Sequence, residues 1–165
     1  MGVVIEALNG GHDRAEFRCG QDDLDRWFRE RAGQDARRNL ARVFVAKDEV
    51  MGVVGFYSLG AFTLALEDLP PVLAGKLPRY DAIPAALIGR LARDDRVRGQ
   101  GIGDLLLGDA IARTLNAGRT LAVFAIVVDA KDERASAFYA AFGFQPFPSR
   151  RNRLFLLTST AAAAG

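Results

Sequence analysis

A glycine-rich hexapeptide is the segment whose residue types and spacing point most directly to chemistry. It lies between a run that predicts a strand, residues 83–93, and a run that predicts a helix, residues 102–115. The first turn of a helix has backbone N–H groups without intrahelical partners and the positive end of the helix dipole, and glycines let a diphosphate approach that backbone. The hexapeptide therefore predicts a phosphate site made of Arg98, Gly99, Gln100, Gly101, Ile102 and Gly103.

Two common phosphate loops do not fit this hexapeptide. The P-loop requires a lysine after its last glycine, where this chain has Asp104. The dinucleotide fingerprint requires a third glycine at a position that Leu106 occupies. The remaining pattern is Arg-x-x-Gly-x-Gly. From this segment alone, a glycine-rich turn that merely starts a helix stays open as the alternative.

A second segment carries an aromatic pair on a short predicted helix. Residues 132–141 contain Phe138 and Tyr139, and they run into Gly143 and Phe144. Gly143 suits the left-handed conformation that follows many helix C-termini, and Phe144 then starts a strand. Between the hexapeptide and this helix there is room for one helix and one strand, residues 121–129.

Together, the two segments resemble the cofactor motifs of the GNAT acetyltransferases. The resemblance implies an α/β (α+β) GNAT fold, with a mixed, mostly antiparallel central sheet whose central strands splay apart between flanking helices. It implies acetyl-CoA as co-substrate, with its diphosphate on the hexapeptide. The pantetheine arm would meet backbone groups at the end of the central strand, which here belong to Leu91, Ala92 and Arg93. Many family members have asparagine where this chain has Asp132, so that position is assigned no cofactor contact.

The same resemblance makes Tyr139 the candidate general acid. A phenol has a pKa of about 10 and a thiol about 8.5, so protonating the departing thiolate costs only about 2 kcal/mol. The alternative is that Tyr139 is a packing aromatic. No residue stands out as general base: Glu6, Asp94 and Asp95 are open choices, although each is more simply a solvated carboxylate. An α-amine, with a pKa of about 7.7–8.0, needs a base less than a lysine side chain does.

The likeness extends over about residues 17–156 to one branch of the family, the toxins of bacterial toxin–antitoxin pairs that acetylate aminoacyl-tRNA. The segments that carry it are residues 17–20, 24–28, 55–59, 77–79, 83–84 and 87–92. The branch implies acetylation of the α-amine of tRNA-bound amino acids, a block of translation, a homodimer and a ribbon-helix-helix antitoxin. The first alternative is a GNAT enzyme acting on a small amine, a peptide N-terminus or a protein lysine. A non-catalytic acyl-CoA-binding module is the other, but it would have no need of the phenol.

The arginines gain a role from this resemblance. Composition alone, with a net charge of +2, is explained by arginines that lie on solvated faces and bind nothing. With an RNA substrate, their guanidinium groups would contact phosphates without reading sequence. The candidate tRNA-binding residues are Arg37, Arg38, Arg79, Arg90 and Arg93. Arg79 and Arg90 come first because they stand inside the family-like segments.

Length and composition bound the remaining possibilities. A chain of 165 residues, half of them hydrophobic, predicts one domain over residues 1–160 and a short flexible tail over 161–165. No run predicts a signal peptide or a membrane span. A single cysteine, Cys19, and a single histidine, His12, exclude an internal disulfide and a two-histidine or Cys/His metal site. A cytoplasmic protein without a metal is therefore expected.

Overall fold

The computed structural model describes residues 2–164, and seven strands among them form one sheet. The strands are β1 (Val3–Ala7), β2 (Arg42–Asp48), β3 (Gly52–Leu64), β4 (Ile83–Arg93), β5 (Ala125–Asp129), β6 (Gln145–Pro146) and β7 (Arg153–Leu157). The helices are α1 (Asp22–Glu30), α2 (Ala32–Arg37), α3 (Pro71–Ala74), α4 (Ile102–Ala117), α5 (Glu133–Ala140) and α6 (Thr158–Ala164).

The strand order in the sheet is β1-β2-β3-β4-β5-β7-β6. The pairs β1–β2, β2–β3, β5–β7 and β6–β7 are antiparallel, and β4 and β5 are parallel. A mixed, mostly antiparallel sheet with helices confirms the predicted fold class. The parallel register joins Ala85–Ile88 of β4 to Ala125–Val128 of β5, and β4 then continues to Arg93.

The chain forms two compact units. The first unit comprises the described residues up to Gly60 together with Gly89–Ala110, and the second comprises Ala61–Ile88 and the described residues from Ile111 onwards. An aromatic core fills the first unit, where the rings of Phe28 and Phe56 are nearly parallel at 4.1 Å between centroids. The core of the second unit contains Leu69, Val127 and Phe155. The predicted division into a 1–160 domain and a tail stays a prediction.

Several element boundaries differ from the sequence predictions. The strand predicted from Leu121 begins only at Ala125, and Leu121 is 73% exposed. The turn between β2 and β3 follows Asp48, whose carboxylate accepts the N–H groups of Val50 and Met51, each at 2.9 Å. The predicted tail is helical through Ala164, since α6 begins at Thr158 and buries Ala161. Gly165, like Met1, lies outside the described residues.

Among residues 2–164, no helix is both long enough and apolar enough to cross a membrane.

Candidate functional site

The hexapeptide forms the connection from a short 3-10 turn, Asp95–Val97, to helix α4 in the first unit. Gly99 and Gly101 both have φ of +79°, a conformation that residues with a Cβ rarely adopt. Apart from each glycine's two chain neighbours, no heavy atom of the described residues lies within 4 Å of a Cβ built on either glycine. Glycine is therefore required there by backbone conformation, and the space beside the backbone is open.

The start of α4 presents N–H groups that have no carbonyl to bind within the helix. The first helical bond runs from the N–H of Leu105 to the carbonyl of Gly101, at 3.1 Å. The N–H groups of Ile102, Gly103 and Asp104 precede that bond and stand at the positive end of the helix dipole. The combination of open backbone and orphan donors suits a diphosphate.

A buried carboxylate fixes the backbone just before this loop. Asp94 is only 1% exposed and accepts the backbone N–H of Arg96 at 2.9 Å and of Arg18 at 3.3 Å. The guanidinium of Arg96 donates two more bonds, from Nε at 2.9 Å and Nη2 at 3.0 Å. Burial by itself would raise the pKa of Asp94, but these bonds outweigh it and hold the pKa below 3.8. Asp94 is thus a structural acceptor and not the solvated carboxylate of the sequence analysis.

Two arginines of the predicted cofactor set share the next carboxylate. Nη2 of Arg98 lies 3.1 Å from Oδ1 of Asp95, and Nη1 of Arg93 lies 3.9 Å from the same atom. The side chain of Arg98 is 62% exposed, so this contact contributes little to stability and leaves the guanidinium able to turn to a ligand.

Gly55 brings two predicted cofactor residues close together. A Cβ at this position in β3 would lie 3.2 Å from the carbonyl oxygen of Ala92 and 3.2 Å from Cγ2 of Ile102. It would also lie 2.9 Å from Cδ1 of Leu106, closer than real Cβ contacts. The end of β4 and the first turns of α4 therefore both pack against Gly55, where a side chain would not fit. Sequence reasoning missed this role, although a glycine inside a strand is itself a signal of close approach.

Tyr139 lies in the second unit, on helix α5. The carboxylate of Asp132 caps this helix by accepting the N–H of Ala135 at 2.8 Å, which gives an aspartate at this position a structural use. After the helix, Gly143 has φ of +99°, as predicted for a left-handed residue. The ring of Tyr139 packs edge-on against Phe144, with 5.7 Å between centroids.

Burial changes the chemistry of this phenol. Tyr139 is 7% exposed, and loss of solvation, followed by the negative charge of Asp129, raises its pKa to about 12. The phenol is protonated at every physiological pH. It is also a weaker acid than a solvated tyrosine, whose pKa is about 10, so protonating the departing thiolate costs more than the sequence predicts.

Asp129 is itself held by an ion pair across two strands. It faces Arg153 in the β5–β7 register, and the guanidinium donates from Nε at 2.8 Å and from Nη2 at 2.9 Å. These bonds lower the pKa of Asp129 despite the opposing effect of burial. The guanidinium of Arg153 also lies 4.9 Å from the ring centroid of Phe62. No short sequence motif predicts the cluster of Asp129, Arg153 and Phe62, because these residues are far apart in sequence.

The predicted RNA-binding arginines lie in different surroundings. Arg37 and Arg38 are exposed near the end of α2 in the first unit, and Arg79 is exposed in the second unit. Arg93 and Arg90 are half-buried. The guanidinium of Arg90 stacks on Trp27, 4.0 Å from the ring centroid, and burial lowers its pKa.

Other candidate ligands are accounted for inside the fold. Nε2 of His12 lies 2.6 Å from Oε2 of Glu6, and Nδ1 of His12 accepts the N–H of Asn9. Cys19 packs against the aromatic core of the first unit. Within residues 2–164, no three or more His, Cys, Asp or Glu side chains are arranged to hold a metal ion.

Comparison with known proteins adds a family and two relatives. Residues 39–146 match the family model described as acetyltransferase (GNAT) domain. The chain is 34% identical to the probable toxin TacT of Sinorhizobium fredii, covering 95% of this chain and 92% of that protein. It is 35% identical to a tRNA-acetylating toxin of Mycobacterium tuberculosis, covering 94% of this chain and 92% of that protein.

Solved structures give the same likeness. AtaT complexed with acetyl-methionyl-tRNAfMet aligns with a TM-score of 0.91 and 27% identity, over 99% of both chains. AtaTR bound with AcCoA aligns with a TM-score of 0.85 and 27% identity, over 98% of this chain and 97% of that chain.

Proposed function

Since the chain belongs to the GNAT acetyltransferase family, we propose that it transfers the acetyl group of acetyl-CoA to the α-amine of an amino acid esterified to tRNA. The observation that carries this proposal is the 35% identity, over nearly the whole chain, to a tRNA-acetylating toxin. The same relatives support a toxin whose action blocks translation.

The first unit supplies the anchor for acetyl-CoA. Its diphosphate binds the backbone N–H groups within residues 99–103 except that of Gln100, which already donates to the carbonyl of Val97 at 3.2 Å, and Arg98 adds positive charge. Each hydrogen bond to a charged oxygen contributes about 1.5–3 kcal/mol. The pantetheine arm lies along the backbone of Leu91, Ala92 and Arg93. The proximity of Ala92 and Ile102 supports this arrangement, because each has an atom 3.2 Å from a Cβ built on Gly55.

The second unit supplies the proton. Acetyl-CoA brings an activated acetyl thioester, and Tyr139 gives its phenolic proton to the departing sulfur. With a pKa of about 12 against about 8.5 for a thiol, this transfer is uphill by about 5 kcal/mol. The phenolate left behind is a strong base, so it takes the proton that the acylated nitrogen releases. Tyr139 ends the cycle protonated, and the net movement of one proton is from nitrogen to sulfur.

The RNA contacts involve Arg37, Arg38, Arg79, Arg90 and Arg93. The exposed members of this set reach phosphates directly, whereas the half-buried members have intramolecular contacts as well. Such contacts position the RNA and carry no sequence information.

We also propose a homodimer, a ribbon-helix-helix antitoxin as partner and a cytoplasmic location. These follow from the toxin branch of the family. The likeness to the AtaT-AtaR complex bound to DNA, with a TM-score of 0.79 and 25% identity over 98% of both chains, supports a partner-bound form.

The test is transfer from radiolabelled acetyl-CoA to a pool of charged tRNA, with the same pool after deacylation and the Tyr139→Phe variant as controls. Label on charged tRNA alone, lost in the variant, is the expected result. Label on neither pool, with acetyl-CoA still bound, would direct the search for the acceptor to small amines, peptide N-termini and protein lysines.

A further inference from the structure

Residues 17–19 belong to a family-like segment of the sequence to which the proposed function gives no role. In the first unit they are hydrogen-bonded to helix α1 on one side and to the turn before the hexapeptide on the other. The ring of Phe17 is 2% exposed and packs edge-on against Phe28 and Phe56, with 4.9 Å and 5.4 Å between centroids. This packing gives the segment a fixed place in the aromatic core, from which its backbone can hold other groups.

Two side chains of α1 bind one side of the segment. Oδ1 of Asp25 accepts the backbone N–H of Cys19 at 2.9 Å. Nη1 of Arg29 donates to the carbonyl of Phe17 at 2.7 Å. Asp25 and Arg29 are four residues apart, which places them on the same face of the helix. Asp25 is only 3% exposed, and the proposed chemistry does not use this buried carboxylate.

The other side of the segment binds the turn before the hexapeptide. The carbonyl of Arg18 accepts the N–H of Asp95 at 2.8 Å, and the N–H of Arg18 donates to Oδ2 of Asp94 at 3.3 Å. Asp95 begins the 3-10 turn that ends at Val97. The N–H of Arg98 then donates to the carbonyl of Asp95 at 3.3 Å. The backbone at the start of the hexapeptide is therefore tied to residue 18.

The two sets of bonds alternate along the segment. In an extended backbone, both polar groups of one residue point to one side and those of its neighbours point to the other. Arg18 accordingly directs its N–H and its carbonyl to the turn, whereas the carbonyl of Phe17 and the N–H of Cys19 face α1. The segment thus transmits the position of α1 to the turn that precedes the glycines.

We infer that Asp25 is a positioning residue for acetyl-CoA. Through residues 17–19, its carboxylate holds the turn in the conformation in which the hexapeptide binds the diphosphate. The inference rests on the proposed function, which places the diphosphate on this loop, and adds to it a residue that touches neither substrate. Without the bond from Cys19, the loop is in its binding conformation for a smaller fraction of the time, which raises the apparent Kd in proportion.

The experiment measures the Kd for acetyl-CoA by calorimetry and the free energy of unfolding in urea. Asp25→Ala should raise the Kd about five- to tenfold, which is part of what a hydrogen bond to a charged group contributes. Asp25→Asn keeps an oxygen that accepts the N–H of Cys19, so its Kd should stay within about threefold of the wild-type value. Removal of a negative charge by itself favours an anionic ligand, so weaker binding in Asp25→Ala cannot come from the charge.

Asp48→Ala is the matched control for the aspartate. Asp48 is another buried carboxylate of the first unit, and it accepts two backbone N–H groups at the turn between β2 and β3. Its removal should lower the free energy of unfolding at least as much as Asp25→Ala does and leave the Kd for acetyl-CoA within about twofold. A merely structural role of Asp25 would change stability in the same way and would not change the Kd.

A second pair of variants tests the other bond between α1 and the segment, and it decides the question if Asp25→Ala does not fold. Arg29→Ala should raise the Kd about threefold or more. Arg42→Ala is its control, because it removes an equal charge and a guanidinium bond to a carbonyl, that of Ala36 at 2.9 Å, outside residues 17–19. It should leave the Kd within about twofold.

Three results would overturn the positioning role: native affinity in both Asp25→Ala and Arg29→Ala, equal losses of affinity in these variants and their controls, or no rescue by Asp25→Asn. Calorimetry requires no acceptor, so these results are separate from the test of acetyl transfer. Absence of label on charged tRNA would reject the proposed function, whereas the contribution of Asp25 to acetyl-CoA affinity would still be measured.

Discussion

The proposed anchor and the proposed acid are built in opposite ways. The anchor is backbone: Gly99 and Gly101 at φ of +79° and the first N–H groups of α4, with open space beside them. The acid is one side chain, Tyr139, whose properties come from burial and from the charge of Asp129. A backbone site depends on conformation, which short sequence patterns encode. A tuned side chain depends on its surroundings, which only the folded chain assembles.

Removing the phenol should give the largest effect and would separate the two regions functionally. We expect Tyr139→Phe to lower kcat by about 10²–10⁴-fold, because a positioned acid contributes that much. Its Kd for acetyl-CoA should stay near the wild-type value, since the anchor is in the other unit. Single-turnover kinetics and calorimetry measure the two quantities. Normal turnover in this variant would remove the acid assignment.

Removing the buried carboxylate beneath the anchor should mainly cost stability. Asp94→Asn loses the charge that Arg96 and two backbone N–H groups bind, which we expect to lower the free energy of unfolding by about 2–3 kcal/mol. Urea unfolding measures this loss in the free energy of unfolding. Asp95→Asn is the matched control, because its more exposed pairs should cost less than about 1 kcal/mol. Equal losses in both variants would show that burial of Asp94 is not what fixes the loop.

A substitution that strains the backbone tests whether acetyl-CoA binding depends on the conformation of the glycine-rich loop. Gly101→Ala forces a Cβ into a conformation that costs about 1–2 kcal/mol. We expect acetyl-CoA to bind about tenfold more weakly. The matched control is Gly52→Ala, at φ of +77° with similarly open space, which should cost the same stability and leave affinity unchanged. Native affinity in Gly101→Ala, measured by calorimetry, would reject this loop as the anchor.

The smallest expected effect concerns the pH dependence of kcat, which we expect not to decline near pH 10. A general acid must be protonated, so activity falls as pH rises through its pKa. With that pKa raised to about 12, kcat should show no fall from Tyr139 near pH 10, where a solvated tyrosine would begin to ionise. The pH profile of kcat measures this, with an acceptor RNA whose amino acid is joined by an amide so that the acceptor does not deacylate at high pH. A decline centred near pH 10 would mean that binding of the substrates restores the solvated pKa.

Linkage predicts a matching change in stability. The folded-state pKa of Tyr139 lies above its unfolded value, so its contribution to stability is fully present below pH 10. That contribution is lost as pH rises from about 10 to about 12. The free energy of unfolding of Tyr139→Phe should therefore fall less steeply with rising pH than that of the wild type over this range.

The sequence by itself determined the features that depend on local conformation. The central strand was predicted with its observed bounds, Ile83–Arg93, and α4 was predicted to begin at Ile102, because β-branched and apolar runs and a glycine-rich turn act over a few residues. Gly143 was identified as left-handed for the same reason. The family also followed from the sequence, since its two motifs are short and their residues are nearly contiguous.

Only the tertiary structure decided the environments of the side chains. It buried Asp94 under four hydrogen-bond donors, where the sequence suggested a solvated carboxylate, and it stacked Arg90 on Trp27. It joined Asp129 to Arg153 across two strands and gave Gly55 a neighbour from each of two elements. Solvation and charge pairing set a pKa, and both depend on residues that are distant along the chain. The chain therefore encodes its phosphate loop locally, whereas the acidity of its phenol is a property of the whole fold.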